Sequence, residues 1–234
     1  MNRVVRPKAR QIIEQTWQSQ ANLSVFLVLL IVAVFILPAL DRRQGSFTRD
    51  ADIVSTLLLA TGVAIGWGRR RLFAIGVLVA IPTLILRWGL LISPNPSLRL
   101  GAEIFGVLAA LTVGYILLAQ VFRDGPINAV RVQGAVAAYL LMGVAYAHAY
   151  VIASFFDPTA ITSTEGVMTS FVDWIYFSFA TLSTLGYGDI IPTGHASRML
   201  AIGEAISGQL FLAILIARLV SMQVSGSTSP GEGA

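Results

Sequence analysis

Nineteen consecutive residues, 22–40, contain no charged side chain and almost nothing polar. A run of about 20 apolar residues is what a helix needs to cross the ~30 Å hydrocarbon core of a bilayer. Such blocks recur, and they predict six spanning helices at 22–40, 52–68, 72–93, 101–122, 132–155 and 196–220. The second is the shortest, and the third carries Pro82, a predicted kink. Composition agrees: 56% of the 234 residues are apolar or aromatic and only 12% are charged. A typical soluble domain is roughly 25% charged. A soluble globular enzyme and a disordered chain are both excluded. What remains is an all-α polytopic membrane protein, seated in a lipid bilayer, with short loops.

The net charge of +4 reads as topology rather than as a nucleic-acid surface, because the basic residues flank the apolar blocks. With the N-terminus inside, Arg3, Arg6, Lys8, Arg10, Arg69, Arg70, Arg71, Arg123, Arg131 and Arg218 fall on the cytoplasmic side. The outer side keeps fewer: Arg42, Arg43, Arg49, Arg99, Arg198 and Arg87, the last snorkelling outward beside Trp88. Acids gather there too, among them Asp41, Asp157, Glu165 and Asp189. Both termini are therefore expected in the cytoplasm, and the location is the plasma membrane (the inner membrane of a bacterium). The first block follows basic residues as a signal peptide would. It outlasts a usual apolar region of about 7–15 residues and ends in no cleavage pattern, so it is expected to be retained. Residues 1–21 are expected to form a cytoplasmic amphipathic segment, with Val5, Ala9, Ile12, Ile13 and Trp17 at helical spacing. Residues 221–234, rich in Ser, Gly and Pro, are expected to be a disordered cytoplasmic tail without a regulatory domain. The absence of cysteine excludes disulfides and thiolate metal sites.

The segment between the last two spans is different. Residues 156–195 are too polar to span, yet Phe171 to Leu182 is compact, apolar and aromatic. Ser170 followed by Asp173 fits a capping box, which predicts a short helix over 171–183. Thr184-Leu185-Gly186-Tyr187-Gly188-Asp189 follows at once, with glycine at alternate positions. A half-length helix, a glycine-alternating strand and then a full span make a re-entrant loop. Non-helical backbone is tolerated at membrane depth only where it lines a cavity or is buried in protein.

Thr181 to Asp189 resembles the selectivity filter of the potassium channel family, commonly written Thr-Val-Gly-Tyr-Gly, with Leu185 at the valine position. The resembling unit covers 132–220: outer helix, pore helix 171–183, filter 184–189 and inner helix. The chemistry of such a filter is general. A cage of backbone carbonyls replaces the water around a cation without fixed negative charge. Aligning successive carbonyls requires conformations costly for residues with a Cβ, which accounts for Gly186 and Gly188. The resemblance implies K+ as the bound ion, held by Thr184, Leu185, Gly186, Tyr187 and Gly188, with Asp189 at the outer mouth concentrating cations. One chain supplies one strand of the cage, so a homotetramer is expected. Neither a small-molecule substrate nor enzymatic chemistry is implied.

By the same resemblance Gly208 stands at the hinge position of the inner helix; close helix packing beside Ser207 is the other reading of that glycine. If Gln209 faces the cavity, helical spacing brings Leu212, Ile216 and Val220 to the same face. Glu204 lies about 140° from Gln209 at roughly 100° per residue, so it points behind the filter. It is expected to brace the pore helix near Ser178 or Thr181, protonated or hydrogen-bonded. The resemblance also implies a hydrogen bond from Tyr176 to Asp189, thirteen residues on. Residues 22–122 occupy the voltage-sensor position of six-span relatives, yet 101–122 contains no basic residue. Each charge crossing the field contributes about 2.3 kcal/mol per 100 mV, so no intrinsic voltage sensor is expected. His148 reads as a packed or interfacial histidine, and His195 as a proton-sensitive candidate outside the filter. The function this implies is a K+-selective channel, with a weakly selective cation channel on the same fold, or a transporter, as alternatives.

Overall fold

The computed structural model describes residues 22–40, 47–66, 70–122, 129–164, 166, 168 and 170–227. The expected amphipathic segment, 1–21, lies outside the described residues. The elements are α1 (Asn22–Leu40), α2 (Phe47–Ile65), α3 (Arg70–Ile92), α4 (Pro96–Val121), α5 (Ala129–Phe156), β1 (Ile161–Ser163), α6 (Phe171–Leu182), β2 (Ile190–Pro192) and α7 (His195–Ser227).

Among the described residues, five helices are long and apolar enough to cross a membrane: α1, α3, α4, α5 and residues His195–Arg218 of α7. The second helix is not one of them. It begins earlier than the apolar pattern suggests, and Arg49, Asp50 and Asp52 in its first turns leave Ser55–Ile65 as its apolar part. The last helix also departs from expectation, continuing through 221–227 where a disordered tail was expected. Ser221, Met222, Gln223 and Val224 carry no helix breaker, and Pro230 restricts only the residue before it. Residues 228–234 lie outside the described residues.

Proline is accommodated in two ways. In α3, Pro82 sits within the helix without ending it. In α1, Val32–Ile36 forms a π-turn in which the Leu37 N–H donates to the Val32 carbonyl. Pro38 follows immediately; its ring would crowd the carbonyl four residues back, and a widened turn relieves such crowding.

The core is built on α5. Leu23, Phe26, Leu30 and Val34, one face of α1, pack with Ala110, Val113 and Leu117 of α4 and Ala137, Ala138, Leu141 and Ala145 of α5. Small residues on facing helices let backbones approach, which supplies most of the packing attraction in lipid. A second cluster joins Ala147, Tyr150 and Val151 of α5 to Ala160, Ile161, Trp174 and Phe177. The short pore helix is thereby wedged against the half of α5 nearer its C-terminus. Large apolar side chains left exposed, such as Leu78, Ile85 and Leu111, suit contact with lipid rather than water.

Candidate functional site

The pore helix α6 starts where the sequence says. Val172 N–H donates to Ser170 Oγ at 3.2 Å, and Ser170 N–H donates to the Asp173 carboxylate at 3.3 Å. Twelve residues at about 1.5 Å each give a rod of about 18 Å, roughly half a bilayer. At its C-terminal end Ser183 N–H donates to Phe179 and Thr184 N–H to Thr181, while Leu185 and Gly186 N–H both donate to the Ala180 carbonyl. These bonds turn the chain back on itself and begin residues 184–189.

That stretch is not a strand, although one was expected. Its backbone is left-handed at alternate positions: Thr184 at φ 58°, Gly186 at 57° and Gly188 at 81°. A β-ladder requires negative φ throughout, so the alternation excludes one. The glycines adopt this form freely, whereas a left-handed residue with a Cβ costs roughly 1–2 kcal/mol. Thr184 is the exception that sequence reasoning missed. Bonds on either side hold it there, from its own N–H to Thr181 and from the next two N–H groups to Ala180. Leu185 and Tyr187 are well exposed, at 57% and 67%. In a single chain, therefore, this backbone has an open side.

The mouth is framed by a small antiparallel pair, β1 with β2, in which Thr162 lies opposite Ile191. Thr164 N–H donates to the Asp189 carbonyl at 2.9 Å. The Tyr176 hydroxyl donates to Asp189 Oδ2 at 2.7 Å, the bond expected from sequence, and Asp189 Oδ1 accepts from Ile190 N–H. The rings of Tyr176 and Tyr187 lie parallel, 6.3 Å apart and inclined by 4°. At the rim, outside the spans, Asp157 accepts from the side chain and backbone of Thr159, which hold its carboxyl below its ordinary value.

Behind the pore helix Glu204 is fully buried. One carboxyl oxygen receives the Tyr150 hydroxyl at 2.6 Å; the other stands 2.5 Å from Ser178 Oγ, which is itself 2.7 Å from the Gly143 carbonyl. Ser178 has a single hydroxyl proton facing two acceptors. Every contact is satisfied when Glu204 is the neutral acid: it donates to Ser178, and Ser178 donates to Gly143. One turn further along α7, Gly208 meets the foot of the pore helix. A Cβ there would run into the Leu182 carbonyl oxygen and side chain, so close packing alone accounts for this glycine. Gln209, Leu212, Ile216 and Val220 are all exposed, and Leu212 follows Glu204 and Gly208 at steps of four along one stripe of α7.

Comparison with known proteins points to ion channels. Residues 135–224 match the family model described as ion channel. Two-pore potassium channel 4 of Arabidopsis thaliana is 46% identical over 55 residues, 24% of this chain and 19% of that protein. The voltage-gated potassium channel Kch of Escherichia coli (strain K12) is 48% identical over 44 residues, 19% of this chain and 10% of that one. In this stretch the chain is similar to ion channels, and the relatives just named are potassium channels. Protein LctB of Bacillus caldotenax is 32% identical over 87 residues, 35% of this chain and 64% of the relative. The aligned segments thus cover less than a fifth of the two plant and bacterial channels above. No solved structure matches. Potassium channels are ion-transport proteins of membranes rather than enzymes, and the apolar helices suit that setting.

Proposed function

We propose that the protein is a K+-selective channel of the plasma membrane, in which four copies surround one axis and ions pass down their gradient. The carrying observation is the left-handed backbone at Thr184, Gly186 and Gly188, on a segment that is exposed throughout 183–188 in one chain. Such alternation turns successive carbonyls to one side, and four chains so arranged make a cage of oxygens. Thr184, Leu185, Gly186, Tyr187 and Gly188 hold K+, and Asp189 raises the cation concentration at the mouth. Tyr176 braces the filter from the front and Glu204 from behind. Gly208 stands at the hinge position of the inner helix, where packing on Leu182 already calls for a glycine, and Gln209, Leu212, Ile216 and Val220 line the cavity below. The exposed Met199, Ile202, Ile206 and Leu210 of α7 support contact with neighbouring copies.

The subunit in this reading has six spans, α2 being the shortest, and both termini in the cytoplasm. Residues 22–122 form a four-helix domain without a voltage sensor, and 132–220 form the pore domain. Thallous and sodium flux into liposomes with a K+ gradient tests the proposal. Passive flux that prefers K+ over Na+ and is lost in Gly186→Ala supports it. Equal Na+ flux overturns the selectivity, and flux that needs a second substrate overturns the channel.

A further inference from the structure

Three ionisable residues in the apolar spans lie outside the filter and its braces, and they come together. Glu103 belongs to α4, Arg87 to α3 and His148 to α5. Gly106 lies three residues beyond Glu103, on the same face of α4, and supplies the room: a Cβ there would stand 2.8 Å from His148 Cε1. The ring seated in that gap is 3% exposed. Its Nδ1 lies 2.5 Å from Glu103 Oε2, and its Nε2 faces Arg87 Nη2 at 3.5 Å, the outer limit of a hydrogen bond. The face of the ring is tilted onto Phe171, with centroids 4.7 Å apart. Phe171 is the first residue of the pore helix.

The donor inventory sets the state of this chain. Arg87 can only donate, so Nε2 must accept, and Nδ1 carries the proton that goes to Glu103. Two further charges lie on the elements packed against this ring: Arg99, one turn before Glu103 on α4, and Asp173, two residues beyond Phe171, whose carboxylate accepts the Ser170 N–H. Protonating His148 would set a new N–H against the guanidinium. It would also place a positive charge beside the positive end of the pore-helix dipole. Glu103 would grip the imidazolium, while these two effects push its other side away from Arg87 and from the start of the pore helix, shifting the ring in its seat under Phe171.

We propose that His148, held between Glu103 and Arg87, is a positioning residue that couples the first four helices to the pore helix and makes conduction fall when it is protonated. The proposal rests on the channel reading for its functional consequence. Glu103 and Arg87 precede the segment shared with ion channels, so this chain sets its pore helix with side chains from outside that segment.

The test uses the full chain in planar bilayers at pH 8 and pH 5, together with hydrogen exchange of the amides of residues 171–175. Acidification lowers K+ current about two- to fivefold, the size expected for one charge at a helix terminus, and speeds exchange at these amides. In His148→Gln both responses are lost. In Glu103→Gln, which keeps an acceptor but removes the balancing charge, the fall moves to lower pH. A wild-type current and exchange that do not change with pH, or changes that persist in His148→Gln, overturn the proposal. Exchange requires no conduction, so a pH response at 171–175 without any K+ current supports the positioning role and overturns the channel reading instead.

Discussion

The pore helix holds a carboxylic acid on each of two sides, and each acid is joined to a tyrosine. At the mouth, Tyr176 donates to Asp189 at 2.7 Å in an exposed setting; behind, Tyr150 donates to Glu204 at 2.6 Å with no access to solvent. The pairs are alike in geometry and differ in surroundings. Water at the mouth competes for every bond and screens every charge, so the pair there contributes little to stability, and in the proposed channel its charge acts on ions. Glu204 has no access to solvent, so its one acid proton and its accepting oxygen must both be met by protein groups.

The largest effect tests the backbone between the two sides. Gly186→Ala forces a Cβ into a φ of 57° and is expected to abolish K+ flux in liposomes while the protein still assembles. Persistence of flux would mean that the left-handed alternation is incidental. Next in size, Glu204→Ala takes away the acceptor of the Tyr150 hydroxyl while Ser178 keeps Gly143, a loss of about 1–3 kcal/mol in thermal unfolding of the purified protein. Glu204→Gln should lose much less, because its amide can donate to Ser178 and accept from Tyr150. Equal losses in the two variants would contradict the neutral acid.

At the mouth the same replacements act on conduction. Asp189→Asn is expected to lower single-channel current about two- to threefold in dilute K+ and hardly at all in molar salt, where the Debye length is ~3 Å. Its effect on unfolding stays below about 1 kcal/mol. A stability loss comparable to that of Glu204→Ala would erase the distinction between the two sides. The smallest effect is at Asp157. Its carboxylate, held charged by Thr159, contributes stability above its ordinary value of 3.8 that is lost as pH falls through the lowered one. Asp157→Asn should therefore lower thermal stability slightly near neutral pH, and its difference from the wild type should disappear as pH falls below about 4.

What the sequence disclosed was local. The capping box, the half-length helix and the Tyr176–Asp189 bond follow from residues within twenty positions of one another. The direction of Glu204 followed from counting degrees around a single helix. Thr184 was not legible, because its left-handed backbone is imposed by N–H groups of Leu185 and Gly186 reaching back to Ala180 rather than by its own side chain. The extent of α2 was obscured by charges in a segment that is nonetheless helical. The meeting of Arg87, Glu103 and His148 could not be foreseen, since three helices distant in sequence bring them together. Arg87 was expected to snorkel outward, and it instead approaches His148.

Glu204 and Gly208 touch the pore helix one helical turn apart, the first through Ser178 and the second against Leu182. Mechanically, the upper part of α7 is a beam fastened at two points to the helix that carries the filter. Gly208 is the lower of these two fastenings, and beyond it Phe211 leans on Tyr139 of α5 instead. In the proposed channel, movement of the length below would reach the filter as a torque about Leu182, with Glu204 at the far end of the lever arm resisting it.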